Sequence, residues 1–334
     1  MIPTGLTDSL TDLYGRRIDY LRLSVTDRCD LRCGYCLPKG YKSFEEPADW
    51  LTFDEIVRVV GAFVALGVRR VRLTGGEPLV RRGLAELAAG LAALPGLDDL
   101  SLSSNCTQMQ AQAAPLFRAG VRRLNLSLDS LRPERFAQLT GGGRLSQVMA
   151  GIMAAKDAGF TPIKVNTVAM RGVNEDEFPE ILAFCAAHGF TLRLIETMPM
   201  GTAGRDAQRD YYLDLETVRS RLQEHFNLIP DLMPGGGPAR YYRVAETDTR
   251  IGFITPLSQH FCETCNRVRL GVDGTLHLCL GQTHSVALRP LLRAGASVSE
   301  LAEHLRAAVR LKPERHCFED QAAQLVRCMA ATGG

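Results

Sequence analysis

"YLRLSVTDRCDLRCGYC", residues 20–36, runs a strand straight into a cluster of thiols. Its first six residues alternate: Leu21, Leu23 and Val25 face one way, Arg22 and Ser24 the other, as in a half-buried strand. Cys29, Cys33 and Cys36 follow in C-x3-C-x2-C spacing. They also fall at i, i+4 and i+7, the face of a short helix, but Asp30, Arg32 and Gly34 would spoil that helix as a packing element. Zinc would require a fourth ligand. Thiolates suit a [4Fe–4S] cluster too, and three of them leave one iron without a protein ligand.

The chain has 334 residues, 46% apolar and 23% charged, enough for about two domains or one α/β barrel. A net charge of +2 gives no field that calls for nucleic acid or an anionic membrane. The opening MIPTGLTDSLTDLYG has no basic n-region or apolar h-region, and no apolar run reaches bilayer length. A cytoplasmic protein without a membrane partner is expected. Thiols stay reduced there, so ten cysteines suggest metal binding or catalysis rather than a disulfide frame. Six form two groups, Cys29, Cys33, Cys36 and Cys262, Cys265, Cys279; Cys106, Cys185, Cys317 and Cys328 are scattered.

Strand and helix patterns alternate along the chain. Strands are predicted at 20–25, 68–74, 100–105, 123–129, 162–170 and 191–198, each followed by a helical pattern. The first helix opens on a capping box, Thr52 to Glu55, and carries Ile56, Val59, Val60 and Phe63 on one face. Gly67, Gly120, Gly159 and Gly189 stand where helices should end. Six such units predict parallel strands with right-handed crossovers, in an open sheet or a barrel. Past about residue 225, "GGGP" (235–238) reads as a loop. "RYYRV", "IGFITP" and "RVRLGVDGTLHLC" read as short antiparallel strands, two of them joined at Asp273–Gly274. Helices are expected near 285–294 and 298–311.

The unusual residues collect at the carboxyl ends of the six strands, where parallel α/β folds keep their active sites. CDLRCGYC follows the first strand and "TGGEP" (74–78) the second; Asn105 ends the third, Ser127 and Asp129 the fourth. Lys164 and Asn166 lie in the fifth, and Glu196 and Met198 end the sixth. The second cysteine group is C-x2-C-x13-C, half a zinc ribbon with His260, His277 or His284 as a fourth ligand, or a second three-thiolate cluster site. Arg267 and Arg269 follow it two apart, on one face of a strand, and suit bidentate phosphate recognition.

CxxxCxxC after the first strand, with "GGEP" after the second, resembles the radical S-adenosylmethionine (SAM) superfamily. The further stretches "LNLSLDSL", "VNTVAMRGVN", "ETMPMG", "GPARYY", "FCETCNRVRL", "KPERH" and a terminal Gly-Gly are similar to the GTP 3′,8-cyclase family, over nearly the whole chain. The resemblance implies an incomplete (βα)6 TIM-like barrel with a C-terminal α+β segment carrying a second Fe–S cluster, divided as 1–225 and 226–334. It implies two [4Fe–4S] clusters, on Cys29, Cys33, Cys36 and on Cys262, Cys265, Cys279, with SAM on the open iron of the first and guanine on that of the second. A deoxyadenosyl radical would take hydrogen from C3′ of GTP, and C3′ would join C8. SAM contacts fall on Tyr35, Gly76, Ser127 and Met198. Gly75 and Gly76 are expected to let the backbone approach the SAM ammonium. GTP contacts fall on Arg22, Arg72, Ser103, Lys164, Arg193, Arg267, Val268 and Arg269.

Gly333 and Gly334 would reach into the active site, the terminal carboxylate meeting Arg22 or Arg72. Implied partners are a flavodoxin- or ferredoxin-type electron donor and, downstream, cyclic pyranopterin monophosphate synthase, for a monomer or homodimer. One departure stands out. Where the family has Thr-Thr-Asn-Gly, this chain has Ser103, Ser104, Asn105 and Cys106. Ser103 keeps a hydroxyl, whereas Cys106 puts a side chain on a glycine position and reads as a small buried filler. A peptide-modifying radical SAM enzyme and a non-catalytic Fe–S or zinc module are the alternatives. The first would carry more C-terminal cysteines, and the second leaves the GGEP loop unexplained.

Overall fold

A computed structural model describes residues 9–37, 47–233, 237–318 and 327–333. Strands β1 (Tyr20–Ser24), β2 (Arg70–Thr74), β3 (Asp99–Ser104), β4 (Arg123–Ser127), β5 (Ile163–Ala169) and β6 (Thr191–Glu196) pair in parallel, in chain order. Helices α1 (Phe53–Ala65), α2 (Leu84–Ala92), α3 (Met109–Arg118), α4 (Pro133–Thr140), α5 (Leu145–Asp157) and α6 (Phe178–His188) fill the crossovers, and α7 (Gly201–Tyr211) and α8 (Leu215–Gln223) follow β6. This is the incomplete (βα)6 barrel that the resemblance implied, and the alternation had left open beside an open sheet.

The helices form where the sequence supplies caps and a stripe. Thr52 and Glu55 make both bonds of the capping box of α1, which buries Ile56, Val59, Val60 and Phe63 against the sheet. Burial of such side chains contributes roughly 1.5–3 kcal/mol each. Gly189, at φ +73°, ends α6 in the left-handed conformation that a side chain disfavours.

The C-terminal strands depart from expectation. They are β7 (Leu228–Asp231), β8 (Arg240–Val244), β9 (Arg250–Ile254), β10 (Arg267–Leu270), β11 (Thr275–His277) and β12 (Ser285–Ala287). β9 lies parallel to β6 and β10 parallel to β1, so each extends the barrel sheet at one edge. Only their outer neighbours are antiparallel, giving one twelve-stranded sheet, β12-β11-β10-β1-β2-β3-β4-β5-β6-β9-β8-β7. Unpaired edges of β1 and β6 are thereby satisfied. Residues 285–287 are strand rather than helix, because they pair with 275–277; α9 (Arg289–Arg293) begins after them, followed by α10 (Val298–Val309) and α11 (Met329–Thr332). The turn at Asp273–Gly274 joins β10 to β11 as expected, with Gly274 at φ +82°. Gly235 and Gly236 of the expected loop lie outside the described residues. Among the described residues no helix is long and apolar enough to cross a membrane.

Candidate active site

The first cysteine loop leaves β1 and is tied on two sides. On one, the amides of Gly76 and Glu77 donate to the carbonyls of Thr26 (2.9 Å) and Arg28 (2.8 Å). On the other, the amides of Arg32 and Gly34 donate to Thr140 (2.9 Å) and Leu139 (3.2 Å), at the end of α4. A Cβ on Gly75 would sit 2.2 Å from the Thr26 carbonyl oxygen, and one on Gly76 2.2 Å from that of Arg28. The two glycines are therefore required by contact with the cysteine loop itself. This is a packing reason beside the expected approach to SAM, and both glycines also line the cavity.

Glu77 anchors the same corner. Its carboxylate accepts from the amides of Leu79 (3.0 Å) and Asn105 (2.6 Å) and from Ser104 Oγ (2.9 Å). Burial lifts its pKa to about 7. The Asn105 amide group reaches Asp30 Oδ1 at 2.8 Å and Cys29 Sγ at 3.8 Å, coupling the end of β3 to the first thiol. Cys106 keeps the glycine-like conformation, at φ +67°, and is fully buried. Its amide donates to Ser104 Oγ (2.9 Å) and its carbonyl lies where Gly151 leaves no room for a Cβ. The thiol is core filling, as the sequence suggested.

Cys29, Cys33 and Cys36 line one cavity of about 300 Å³ together with Cys262, Cys265 and Cys279. Of the expected SAM contacts, Tyr35, Gly76, Ser127 and Met198 all line it. The Tyr35 hydroxyl donates to Asp129 Oδ2 (2.7 Å), whose other oxygen accepts from the Val168 amide (2.8 Å). Burial raises Asp129 to about 6. Among the described residues no three His, Cys, Asp or Glu side chains converge on a single-ion site. A cluster sets a different demand, since each thiolate binds its own iron. Each trio brings three thiols to the one cavity, the donor set that such a cluster takes.

The second trio brackets a hairpin, with Cys262 and Cys265 before β10 and Cys279 after β11. None of the histidines considered as a zinc ligand lines the cavity. His260 Nδ1 pairs with His316 Nε2 (3.1 Å), His277 Nδ1 lies 3.2 Å from Arg327 Nη1, and His284 is exposed. Burial and the Arg327 charge push His277 down to about 4, which keeps its ring neutral.

The same cavity holds a group of cations. Arg22, Arg72, Arg193, Arg267 and Arg269 line the cavity, along with Ser103 and Val268. Strand register assembles them: Arg22 sits opposite Arg72 on one side and Arg269 on the other, and Tyr20 sits opposite Arg267. Among the described residues Arg22, Arg72, Arg193 and Arg269 make no ion pair. Arg193 bonds to the neutral Asn166 (2.8 Å) and Asn125. Arg22 Nε is buried without a hydrogen-bond partner among the described residues. Burial, then Arg269 and Arg72, hold Arg22 well below the usual arginine range. Lys164 is the exception among the expected GTP contacts. It is buried and not among the residues lining the cavity, donates to Tyr241 Oη (3.1 Å), and is pushed to about 7 by burial and by Arg193.

The Radical SAM superfamily pattern matches residues 23–185, and the Molybdenum Cofactor Synthesis C pattern matches residues 190–318. The chain is similar to the GTP 3′,8-cyclase of Pseudomonas entomophila, 49% identical over 98% of both chains. It is similar also to that of Ectopseudomonas mendocina, 47% identical over 98% of this chain and 99% of the relative. The chain belongs to the GTP 3′,8-cyclase family. It is a radical SAM enzyme. Among solved structures, Streptococcus suis SuiB bound to S-adenosylmethionine shares the fold, with a TM-score of 0.66 and 14% identity over 94% of this chain and 77% of that one.

The tail closes the site. Arg327 donates to the carbonyls of Cys279 (2.8 Å), Leu280 (2.8 Å) and Gln282, gripping the loop that carries Cys279. Cys328 packs with Leu37 and Ala330 against Cys29 and Cys36. Gly333 is buried, at φ +74°, and its carbonyl accepts from Arg269. The described end of the tail thus meets Arg269; Gly334, whose carboxylate was expected to meet Arg22 or Arg72, lies outside the described residues. A Cβ on Gly333 would fall 2.2 Å from Thr74 Cγ2. Gly333→Ala should therefore displace the tail. GTP turnover is expected to fall at least tenfold with the iron content intact, measured by product formation and iron assay; unchanged turnover would show that the tail takes no part.

Sequence reasoning assigned no role to three groups. Tyr20 is a buried cavity residue whose hydroxyl has no hydrogen-bond partner among the described residues, with Arg72 and Arg267 stacked at 5.3 and 6.0 Å from its ring. Its place two residues before Arg22 on the same strand was the available signal. Glu196 accepts from the amides of Leu257 (3.0 Å) and Ser258 (3.3 Å), pinning the segment that leads to Cys262. Arg16 donates to the carbonyls of Cys262 (2.9 Å), Pro313 (2.6 Å) and Glu314 (2.6 Å), contacts across more than 240 residues that no local pattern reveals.

Proposed function

We propose that this chain converts GTP to (8S)-3′,8-cyclo-7,8-dihydroguanosine 5′-triphosphate, the first step of molybdenum cofactor biosynthesis, with the residues above in assigned roles. The observation that carries the reading is that Arg22, Arg72, Arg193 and Arg269, which make no ion pair among the described residues, share one cavity with two thiol trios. An anion of high charge is what such a set lacks, and triphosphate supplies it.

Cys29, Cys33 and Cys36 would hold the first [4Fe–4S] cluster, and Cys262, Cys265 and Cys279 the second. When bound, the first cluster and SAM supply the radical that removes hydrogen from C3′ of the ribose. The protein's own contribution is orientation and dryness. Tyr35, Gly76, Ser127 and Met198 would hold SAM. Arg22, Arg72, Arg193, Arg267 and Arg269 would fix the nucleotide, with Ser103 and the Val268 backbone alongside, and Lys164 would act from behind Arg193. The tail would keep water out. The new C3′–C8 bond leaves one unpaired electron on the purine, so one further electron and one proton complete the product. We read residues 1–225 as the SAM half and 226–334 as the GTP half. A flavodoxin- or ferredoxin-type protein would supply electrons, and cyclic pyranopterin monophosphate synthase would take the product.

The deciding test is anaerobic incubation of reconstituted protein with SAM, GTP and a reductant. Formation of the cyclised triphosphate together with 5′-deoxyadenosine supports the proposal; deoxyadenosine without any cyclised nucleotide refutes the substrate. Tyr20→Phe offers a finer check. Its hydroxyl is expected to donate to a phosphate oxygen, so its loss should weaken GTP binding about threefold to tenfold, as for one hydrogen bond of roughly 1 kcal/mol. A calorimetric titration reads the change, and equal affinity would remove Tyr20 from the site.

A further inference from the structure

Lys312, just beyond α10, is only 3% exposed and faces the cavity. Its ammonium donates to the carbonyls of Arg267 (3.0 Å) and Leu278 (2.6 Å). These two carbonyls occupy a telling position. The β10–β11 ladder runs through Leu270↔Leu276 and Arg269↔His277 and stops there. Arg267 and Leu278 lie past its last pair, where the two strands part to deliver Cys265 and Cys279. The ammonium thus bridges the chain segments at the point where the ladder's own bonds end.

Its charge has no conventional partner. Among the described residues no carboxylate pairs with Lys312, and both its acceptors are neutral. Burying an ammonium is costly without a counter-charge. The groups close enough to feel it are the thiols of Cys262, Cys265 and Cys279. A cluster held by three thiolates would bring that counter-charge. Arg16 and Arg267 also stand near the trio, but Arg16 is paired with Asp12 at 2.5 Å.

Resting on the reading that this trio carries a [4Fe–4S] cluster, we propose that Lys312 is the positioning residue of the second cluster, bridging the strands that present Cys265 and Cys279 and setting a fixed positive charge beside the iron. A neighbouring cation favours the more negative, reduced cluster and so raises its reduction potential.

The test uses the full chain with Cys29, Cys33 and Cys36 replaced by Ser, so that any cluster present is the second. Iron content and an EPR-monitored redox titration are compared for Lys312, Lys312→Arg, Lys312→Gln and Lys312→Met. Gln keeps a donor for the carbonyls and loses the charge. The expected result is a midpoint close to the parent for Arg and a clearly more negative one for Gln and Met. Loss of iron from Gln and Met but not from Arg would equally support the need for charge. A Gln or Met cluster that titrates at the parent's midpoint overturns the proposal, as does loss of iron from all three variants. If the Lys312 parent itself binds zinc or no iron, the cluster reading fails, whatever the variants do.

Discussion

Replacing Cys262, Cys265 and Cys279 together with alanine should abolish GTP cyclisation while SAM cleavage continues. The ties of the first cysteine loop explain why the two activities separate. That loop is held by Gly76, Glu77, Leu139 and Thr140, all from the first half of the chain. Nothing in those bonds depends on the second trio. Iron should fall from about eight to about four per chain, and deoxyadenosine should still form without cyclised nucleotide. The complementary change, Cys29, Cys33 and Cys36 to alanine, should leave about four irons and no SAM cleavage at all. Iron assay and product chromatography on anaerobically reconstituted protein read both results. Cyclised product from the first variant, or zinc in carefully loaded parent protein, would refute the two-cluster arrangement.

Arg22→Ala and Arg267→Ala should each weaken GTP binding about tenfold to a hundredfold, the loss of one charge-assisted bond of roughly 1.5–3 kcal/mol. Arg22 is the more telling of the two, because its buried Nε has no hydrogen-bond partner among the described residues. Removing it leaves no described acceptor of that atom stranded, so the change should be felt by ligand and not by fold. Arg269→Ala should cost as much for GTP and also release the Gly333 carbonyl it binds. SAM affinity should hardly move in any of them, since Tyr35 and Asp129 form a separate bonded unit. Parallel titrations with GTP and SAM make the comparison. Equal weakening of both ligands would mean that the arginines support the fold instead of the nucleotide.

The barrel was legible because its signals are local. Capping, helical stripes and strand alternation needed only neighbours in sequence, and α1 formed as its capping box and four buried side chains required. The thiol trios were legible through spacing alone. What escaped was set by distant pairing. Nothing in "RVRL" tells whether β10 will lie parallel or antiparallel to its neighbour, since both readings bury alternate residues; pairing with β1 decides it. Residues 285–287 joined a strand for the same reason. The packing role of Gly75 and Gly76 was not legible because the atoms that exclude a Cβ belong to Thr26 and Arg28, about fifty residues earlier. Cys106 shows the reverse case, a side chain carried in a left-handed conformation that the sequence alone could only question.

β1 is bonded on one side to β2 and on the other to β10, whose residues come about 250 positions later. A chain emerging from the ribosome must therefore expose one edge of its first strand until residue 270 has been made. The first thiol loop hangs from that same strand, and the segment that packs on Cys29 and Cys36 is made later still. Cys29, Cys33 and Cys36 are thus made long before Cys262, Cys265 and Cys279. A chain truncated before residue 270 would lack β10 and keep that edge of β1 unpaired, a sticky sheet edge rather than a smaller working enzyme.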